Sequence, residues 1–342
     1  MELQKTNKVV YIVGNSRSGT TLMSKILGNH PLIYSFEELH FFERLYNPDS
    51  KKFLNESSIL DLLAELLRSS REGMWFRNKK DEYYREAQII YQTFFHDIKD
   101  ISPIEVYKFF LYYETNKNKK EIPCEQTPRN LYYLKEIFEN FPEAKVIYML
   151  RDPRAILLSQ KNKWKMKFLG HSNMPLKEAI RSWINYHPYT ISKLWNSASK
   201  AIKPFLSHPN VLVVKFEELV NDPYRTIKKI CDFLEVEFYN EMLDVHLAGS
   251  SVYKKGKKGF RKEVINVWKN KGLNKTEIYI CQKINIKEME FWGYNLEKVK
   301  PNLLLLFYYF LNFPFKTLGT LLFNLKRFRN IFKAIKRRLL FL

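Results

Sequence analysis

Residues 9–27, VVYIVGNSRSGTTLMSKIL, constrain this chain more than any other stretch. The run Val9-Val10-Tyr11-Ile12-Val13 is apolar and mostly β-branched, the pattern of a buried strand. It stops at Gly14, and the next apolar residues, Leu22, Met23, Ile26 and Leu27, fall on one side of a helix. A strand, a glycine-bearing loop and a helix in immediate succession aim backbone N–H groups and a helix N-terminus at one point, a geometry suited to phosphate. The loop is not of the Walker type: GxxxxGK[ST] needs a Lys before the hydroxyl residue, and Gly19-Thr20-Thr21 has none. Arg17 brings the cation instead, with a planar fork that matches phosphate or sulfate oxygens.

A second strand-like run, 145–150, leads into Arg151-Asp152-Pro153-Arg154 and a helix with Ser159 eight residues after Arg151. Arg151 would leave the C-terminal end of a parallel strand, where α/β proteins bind ligands. Pro153 suits a first helical turn, and Ser159, about two turns on, offers a hydroxyl. Further strand-like runs lie at 31–35 and 211–216. Helical patterns separate the runs, which predicts an α/β fold with a parallel sheet. Between 48 and 122 no strand pattern occurs, and amphipathic helices are expected over 54–68 and 82–98. Trp75, Phe76, Tyr83, Tyr84, Tyr112 and Tyr113 of that stretch read as core.

The loop at 14–22 and the Arg151-to-Ser159 element, in this order and separation, resemble the 5′-phosphosulfate and 3′-phosphate elements of sulfotransferases that use PAPS (3′-phosphoadenosine-5′-phosphosulfate). The Arg-Ser-Gly-Thr-Thr form is that of protein-tyrosine and many bacterial sulfotransferases. The resemblance extends over roughly residues 8–295. It implies a P-loop-like three-layer α/β fold with a central parallel sheet, the helical segment 48–122 being an insertion over the acceptor cleft. It also implies PAPS as cosubstrate without metal. Arg17, Ser18, Gly19, Thr20 and Thr21 would hold the 5′-phosphosulfate, and Arg151 and Ser159 the 3′-phosphate. The basic loop 253–262, followed by Trp268-Lys269, resembles the family's closing loop, with Arg261 or Lys262 adding a cation.

The family's Glu-Glu pair maps onto Glu37-Glu38, which makes Glu38 the general base, Glu37 the alternative and His40 an assisting group. One departure stands out. Where the family has Lys-Thr-Pro or Lys-Asp-Pro, this chain has Gln126-Thr127-Pro128, so the charge on the leaving group would fall to Arg17 alone or to Arg129. Two other functions remain in view. A phosphoryl transferase would need a P-loop Lys and a Mg²⁺-binding acid after a strand, and the sequence offers no convincing pair. A non-catalytic module that keeps the fold is hinted at only by Gln126.

The chain carries 57 Lys and Arg against 36 Asp and Glu, a net +21. Eight of the basic residues sit in the last forty or so, leaving about +13 on the rest. A polyanionic cosubstrate and an anionic membrane account for this excess, and no nucleic-acid module is present. Residues 301–342 read as a separate tail after a domain spanning 1–300. Segment 303–313 is strongly apolar, Pro314 and Lys316 interrupt it, and 317–325 continues it. From Leu318 an apolar stripe runs through Leu321, Leu322, Leu325, Phe328, Phe332, Ile335 and Leu339, with basic residues on the other faces and no acid after Glu297. This pattern predicts an amphipathic segment lying on an anionic leaflet, with a shallow hairpin over 303–315 as a second form and a helix packed on its own domain or on a dimer partner as the alternative. The three scattered cysteines suggest no zinc site or disulfide framework, and with a first strand expected at Val9 no signal peptide is expected. The expectation is a protein on the cytoplasmic face of a membrane, acting on a glycan or lipid-linked sugar.

Overall fold

The computed structural model describes residues 8–46, 53–73, 80–169, 174–245, 259–270, 272–325 and 337. The β-branched runs become strands of one sheet: β1 (Val10–Gly14), β2 (Ile33–Ser35), β3 (Ile122–Glu125), β4 (Lys145–Leu150) and β5 (Val211–Lys215). Their order is β2-β3-β1-β4-β5, and every pairing is parallel. β3 was absent from the sequence expectation. Ile122-Pro123-Cys124-Glu125 is short, holds a proline and ends in an acid, all features that argue against a central strand. It is nevertheless buried throughout, because it fills the space between β1 and β2.

Around the sheet run α1 (Thr20–Gly28), α2 (Glu56–Glu72), α3 (Lys80–Phe94), α4 (Pro103–Lys117), α5 (Leu134–Asn140), α6 (Pro153–Lys161), α7 (Leu176–Ile184) and α8 (Pro188–Ile202). They are followed by α9 (Phe216–Asn221), α10 (Pro223–Leu234), α11 (Glu263–Asn270), α12 (Lys275–Phe291) and α13 (Leu303–Asn324). Strand alternation divides the core into two layers. Val10 and Ile12 point into a cluster with Met23, Ile26, Ile227 and Ile230 of α1 and α10. Val9, Tyr11 and Val13 point the other way, toward Leu63 and Leu66 of α2, Tyr107 and Phe110 of α4, and Trp195 of α8. The sheet is thus sandwiched between helical layers, as predicted.

The stretch between β2 and β3 is helical, as expected. α2 runs one turn past 68, and α3 stops at Phe94. Tyr83 and Tyr112 are buried in the core, Tyr84 and Tyr113 pack against it, and Trp75 and Phe76 lie outside the described residues. Ser102 and Glu105 form a capping box that starts α4. Cys124, Cys231 and Cys281 are free thiols, all buried.

Helix α13 runs through Pro314 without a break, so residues 303–315 form no hairpin. Among the described residues no helix is long and apolar enough to cross a membrane. α13 instead packs on α7, at a separation close enough that a Cβ on Gly319 would come 3.0 Å from Ile184 Cγ2. The predicted stripe beyond Leu325, from Phe328 to Leu339, lies outside the described residues. Arg337 is described: it donates to the Tyr132 carbonyl at 3.2 Å and pairs with Glu136 of α5.

Candidate active site

Because β1 pairs directly with β4, from Val10 opposite Lys145 to Gly14 opposite Met149, the loops that leave these strands emerge side by side. That register brings together two motifs far apart in sequence. A Cβ on Gly14 would sit 2.6 Å from the Met149 carbonyl oxygen, so only glycine lets the first loop leave this close to β4. Ser18 shapes the loop, since both its amide (3.1 Å) and its hydroxyl (2.7 Å) donate to the Asn15 carbonyl. The amides of Gly19, Thr20 and Thr21 donate to no acceptor among the described residues, and α1 starts there without a side-chain cap. These are the N–H groups a helix N-terminus offers to an anion. Thr21 is exposed and Thr20 buried. Gly19 has φ 101°, and a Cβ there would lie 2.5 Å from Phe216 Cδ2. Gly19→Ala should therefore lower the unfolding free energy by about 1–3 kcal/mol in a urea titration, through backbone strain and overpacking together.

Arg17 also holds a positive φ, 77°, a strained setting for a non-glycine residue. Its Nε donates to Ser159 Oγ at 3.0 Å, which fixes the guanidinium against α6. Arg151 Nη1 donates to the Arg17 carbonyl at 3.0 Å, and its guanidinium lies 4.1 Å from the Phe216 ring centroid. The Arg151 Nε is buried with no hydrogen-bond partner among the described residues. Burial and then the charge of Arg151 push Arg17 down to about 10, and burial lowers Arg151 as well. Two partly desolvated guanidiniums this close favour an anion between or beside them. Arg154 has a different task. It pairs with Asp152 at 2.7 Å, donates to Gln282 and the Asn295 carbonyl, and stacks 4.0 Å over Trp268, so it is structural.

The acid side is built where β2 ends beside β3. The Phe36 amide donates to the Cys124 carbonyl at 2.8 Å, which delivers residues 37–40 to the same edge of the sheet. Glu125, fully buried, then fastens the turn. It accepts from the amides of Leu39 and Thr127, each at 3.3 Å, from the Thr127 hydroxyl and from the Asn130 amide. Burial pushes its carboxyl up to about 7 against the pull of these donors. Glu125→Gln would set an NH₂ group against N–H and O–H donors. It should cost about 1–3 kcal/mol of stability, read by denaturant unfolding.

Glu38 keeps 40% of its side chain in solvent, whereas His40 behind it is buried. His40 has φ 53° and opens a turn of π-helix, Phe41–Leu45. Its Nε2 lies 2.9 Å from Glu38 Oε2 and its Nδ1 3.4 Å from Glu43 Oε2, ion-pair distances without hydrogen-bond alignment. Burial disfavours the imidazolium, but the two carboxylates outweigh it and raise His40 to about 9. Burial likewise opposes the Glu38 carboxylate, and His40, Arg129 and Lys163 overcome it and hold Glu38 below the usual range. Glu37 is exposed, its carboxyl held above the usual range by desolvation and by Glu38.

The position that lacks the family's Lys is also resolved. Gln126 Nε2 donates to Thr20 Oγ1 at 3.3 Å, so a neutral amide touches the loop. Arg129 donates to both Glu43 carboxylate oxygens at 2.9 Å and is largely neutralised there. A cation that the sequence reading missed stands nearby. Lys163 opens the 3₁₀ turn Lys163–Phe168, four residues after Ser159. It is half-buried, forms no ion pair or hydrogen bond among the described residues, and lies within electrostatic reach of Arg17, Glu38, Arg129 and Arg181. Burial, followed by Arg17 and Arg181, lowers it to about 7. No local signal marks it, because α6 ends at Lys161 and the following 3₁₀ turn sets where Lys163 lies.

Of the basic loop, residues 253–258 lie outside the described residues. Arg261 is half-buried and Lys262 exposed. The following turn reaches the site, because Arg151 Nη2 approaches the Val264 carbonyl at 3.5 Å. A groove of about 600 Å³ lies between the π turn and α2–α3, lined by Leu45, Asp61, Glu65, Arg68, Tyr83 and Tyr84 among others. It adjoins the turn that carries Glu43 and is separate from the β1–α1 loop.

A five-stranded parallel sheet with a glycine-bearing loop after β1 and an arginine element after the adjacent β4 defines a parallel α/β protein. Residues 10–241 match the profile of the Sulfotransferase family, and the chain belongs to that family. It is 33% identical to human Sulfotransferase 2A1 over 114 residues, 32% of this chain and 38% of that protein. To Protein-tyrosine sulfotransferase A of Caenorhabditis elegans it is 24% identical over 242 residues, 70% of this chain and 53% of that one. The matched parts thus span about two-fifths to half the length of these curated relatives. Among solved structures, the sulfotransferase domain of the Synechococcus PCC 7002 olefin synthase superposes with a TM-score of 0.54 at 18% identity, covering 87% of this chain and 98% of that one, a likeness of fold.

Proposed function

We propose that this chain transfers a sulfuryl group from PAPS to the hydroxyl of an acceptor. The observation that carries the reading is the junction of the two motifs. Arg151 donates to the carbonyl of Arg17, 134 residues away, and Arg17 to Ser159, while the Arg151 Nε and the amides of residues 19–21 have no partner among the described residues. These groups fit a nucleotide with two separate anionic ends. The amides of Gly19 to Thr21, the Thr20 and Thr21 hydroxyls and Arg17 would hold the 5′-phosphosulfate. Arg151 and Ser159 would hold the 3′-phosphate, with Arg261 or Lys262 adding a cation.

In the transfer, the acceptor oxygen attacks sulfur in line and the bond from sulfur to the 5′-phosphate oxygen breaks. The acceptor proton passes to Glu38, and the charge left on the phosphate is met by the loop amides, Arg17 and Lys163. Lys163 takes the part that Gln126 cannot, because Gln126 is neutral and Arg129 is engaged by Glu43. His40, held as the cation by Glu38 and Glu43, fixes the Glu38 carboxylate in place. The acceptor we favour is a hydroxyl-rich glycan or lipid-linked sugar at the cytoplasmic face of a membrane. The apolar and basic C-terminal segment would bring the cleft beside such acceptors.

Calorimetry with PAP, the desulfated product, and with ADP tests this directly. PAP should bind in clear preference to ADP, and Arg151→Ala should weaken it by roughly 10- to 100-fold, the loss of a charge-assisted contact. Ser159→Ala should weaken PAP less. A preference for ADP with Mg²⁺ would move the chain to the phosphoryl-transfer reading.

A further inference from the structure

Helices α7 and α13 are both inside out. On α13 the residues Leu304, Phe307, Leu311, Phe315, Leu318 and Leu322 recur at three- and four-residue intervals, and each is at least 51% exposed. The opposite side of the helix faces the protein with polar groups. There the Tyr309 carbonyl accepts from His187 Nε2 at 3.0 Å and the Tyr309 hydroxyl from Asn274 at 3.2 Å. Lys316 donates to the Trp183 carbonyl at 3.1 Å, and Asn324 bonds Asn185 and Arg181, each at 3.1 Å. α7 repeats the inversion: Glu178 and Ser182 are buried, and Leu176, Ile180 and Trp183 are exposed at i, i+4 and i+7. An ordinary surface helix of a soluble domain shows the reverse arrangement.

We propose that α7 and α13 together form one docking face for an anionic lipid surface. Three features commit the face to that occupant. After Glu297 the sequence has ten Lys and Arg and no Asp or Glu, so the segment that carries α13 is strongly cationic as well as apolar. A second copy would bring a like charge of +21 against it. The exposed stripes are Leu and aromatic, and Lys316 lies 3.7 Å over the Trp183 ring, an aromatic–cation pairing suited to the headgroup level. The face lies on the bilayer and does not span it, since the inner side of α13 is tied to the protein by the bonds above. α7 also borders the cleft: Arg181, bonded to Asn324, is one of the charges acting on Lys163. Resting on the sulfotransferase reading for the cleft alone, this placement presents the site to hydroxyl acceptors anchored in the same leaflet.

The test is flotation of the full chain with phosphatidylcholine vesicles, and with vesicles in which about a third of the lipid is phosphatidylglycerol, at about 0.1 M salt. The anionic vesicles should bind at least about tenfold more strongly. Leu304→Glu/Leu311→Glu/Leu318→Glu and, separately, Leu176→Glu/Ile180→Glu should each reduce that binding at least about tenfold. All substituted side chains are solvent-exposed, and unchanged PAP affinity would confirm intact folding. Flotation with neither vesicle overturns the proposal, as does an α7 variant that floats like the parent. A concentration-dependent dimer in sedimentation, abolished by the α13 variant and without vesicle binding, would assign the face to self-association instead. Vesicle binding without PAP binding would spare the docking face and count against the transferase reading alone.

Discussion

Glu38→Gln should remove sulfuryl transfer while PAP binding stays within about twofold of the parent. The expected loss in kcat is about 10²- to 10⁴-fold, the usual worth of a positioned general base. Glu38 is the acid that combines solvent access with a neighbouring charge network, whereas Glu125 is sealed and occupied by its donors and Glu43 is bound to Arg129. His40, Arg129 and Lys163 keep its carboxyl below the usual range, so the acid limb of the kcat/KM profile should lie below about 4.5. His40 adds a stability term whose sign is fixed by its raised value. The folded state binds the proton more tightly, so the contribution is complete below about 6.5 and is lost as pH rises through about 9. Transfer that persists within tenfold in Glu38→Gln would move the base to Glu37.

Lys163→Ala should lower kcat by about 10²- to 10³-fold, in line with the removal of one charged donor from a developing oxyanion. The pH profile separates this role from a structural one. In the free protein Lys163 loses its proton near 7, so kcat/KM should fall as pH rises through that value. Lys163→Arg keeps the charge at all working pH values, so it should restore part of the rate and remove the alkaline limb near 7. A parent profile that is flat from 6 to 8.5, or a Lys163→Ala variant with unchanged kcat, would return the charge-balancing role to Arg17.

The sequence showed the loops after β1 and β4 more clearly than the turn that carries Glu38, for physical reasons. β1, β4 and β5 are runs of β-branched and apolar residues, and the loop after β1 carries glycines at positions where a Cβ would collide with Met149 or Phe216. Local chemistry alone therefore marks them. β3 is a strand because of where it lies, and its proline and terminal Glu125 disguise it. Glu125, Glu43 and Lys163 acquire their roles only from tertiary neighbours. Lys163 is one of 57 basic residues, and nothing in the chain distinguishes it until Arg17 and Glu38 are placed beside it. The inversion of α7 was hidden for the same reason, since an amphipathic pattern does not say which face will be covered.

The helical insertion departs after β2 and returns at β3, two strands paired directly from Ile33 opposite Ile122 to Ser35 opposite Cys124. Its ends are thus fixed by one short strand pair, at opposite ends of it because the pairing is parallel, and the entropy of closing whatever lies between grows only as the logarithm of its length. The loops after β1 and β4 are set by the direct pairing of those two strands. The architecture therefore divides the insertion in two: Leu63, Leu66, Tyr107 and Phe110 must stay to cover β1, while the connections and outward faces of α2 to α4 can be lengthened, shortened or exchanged without moving the loops after β1 and β4.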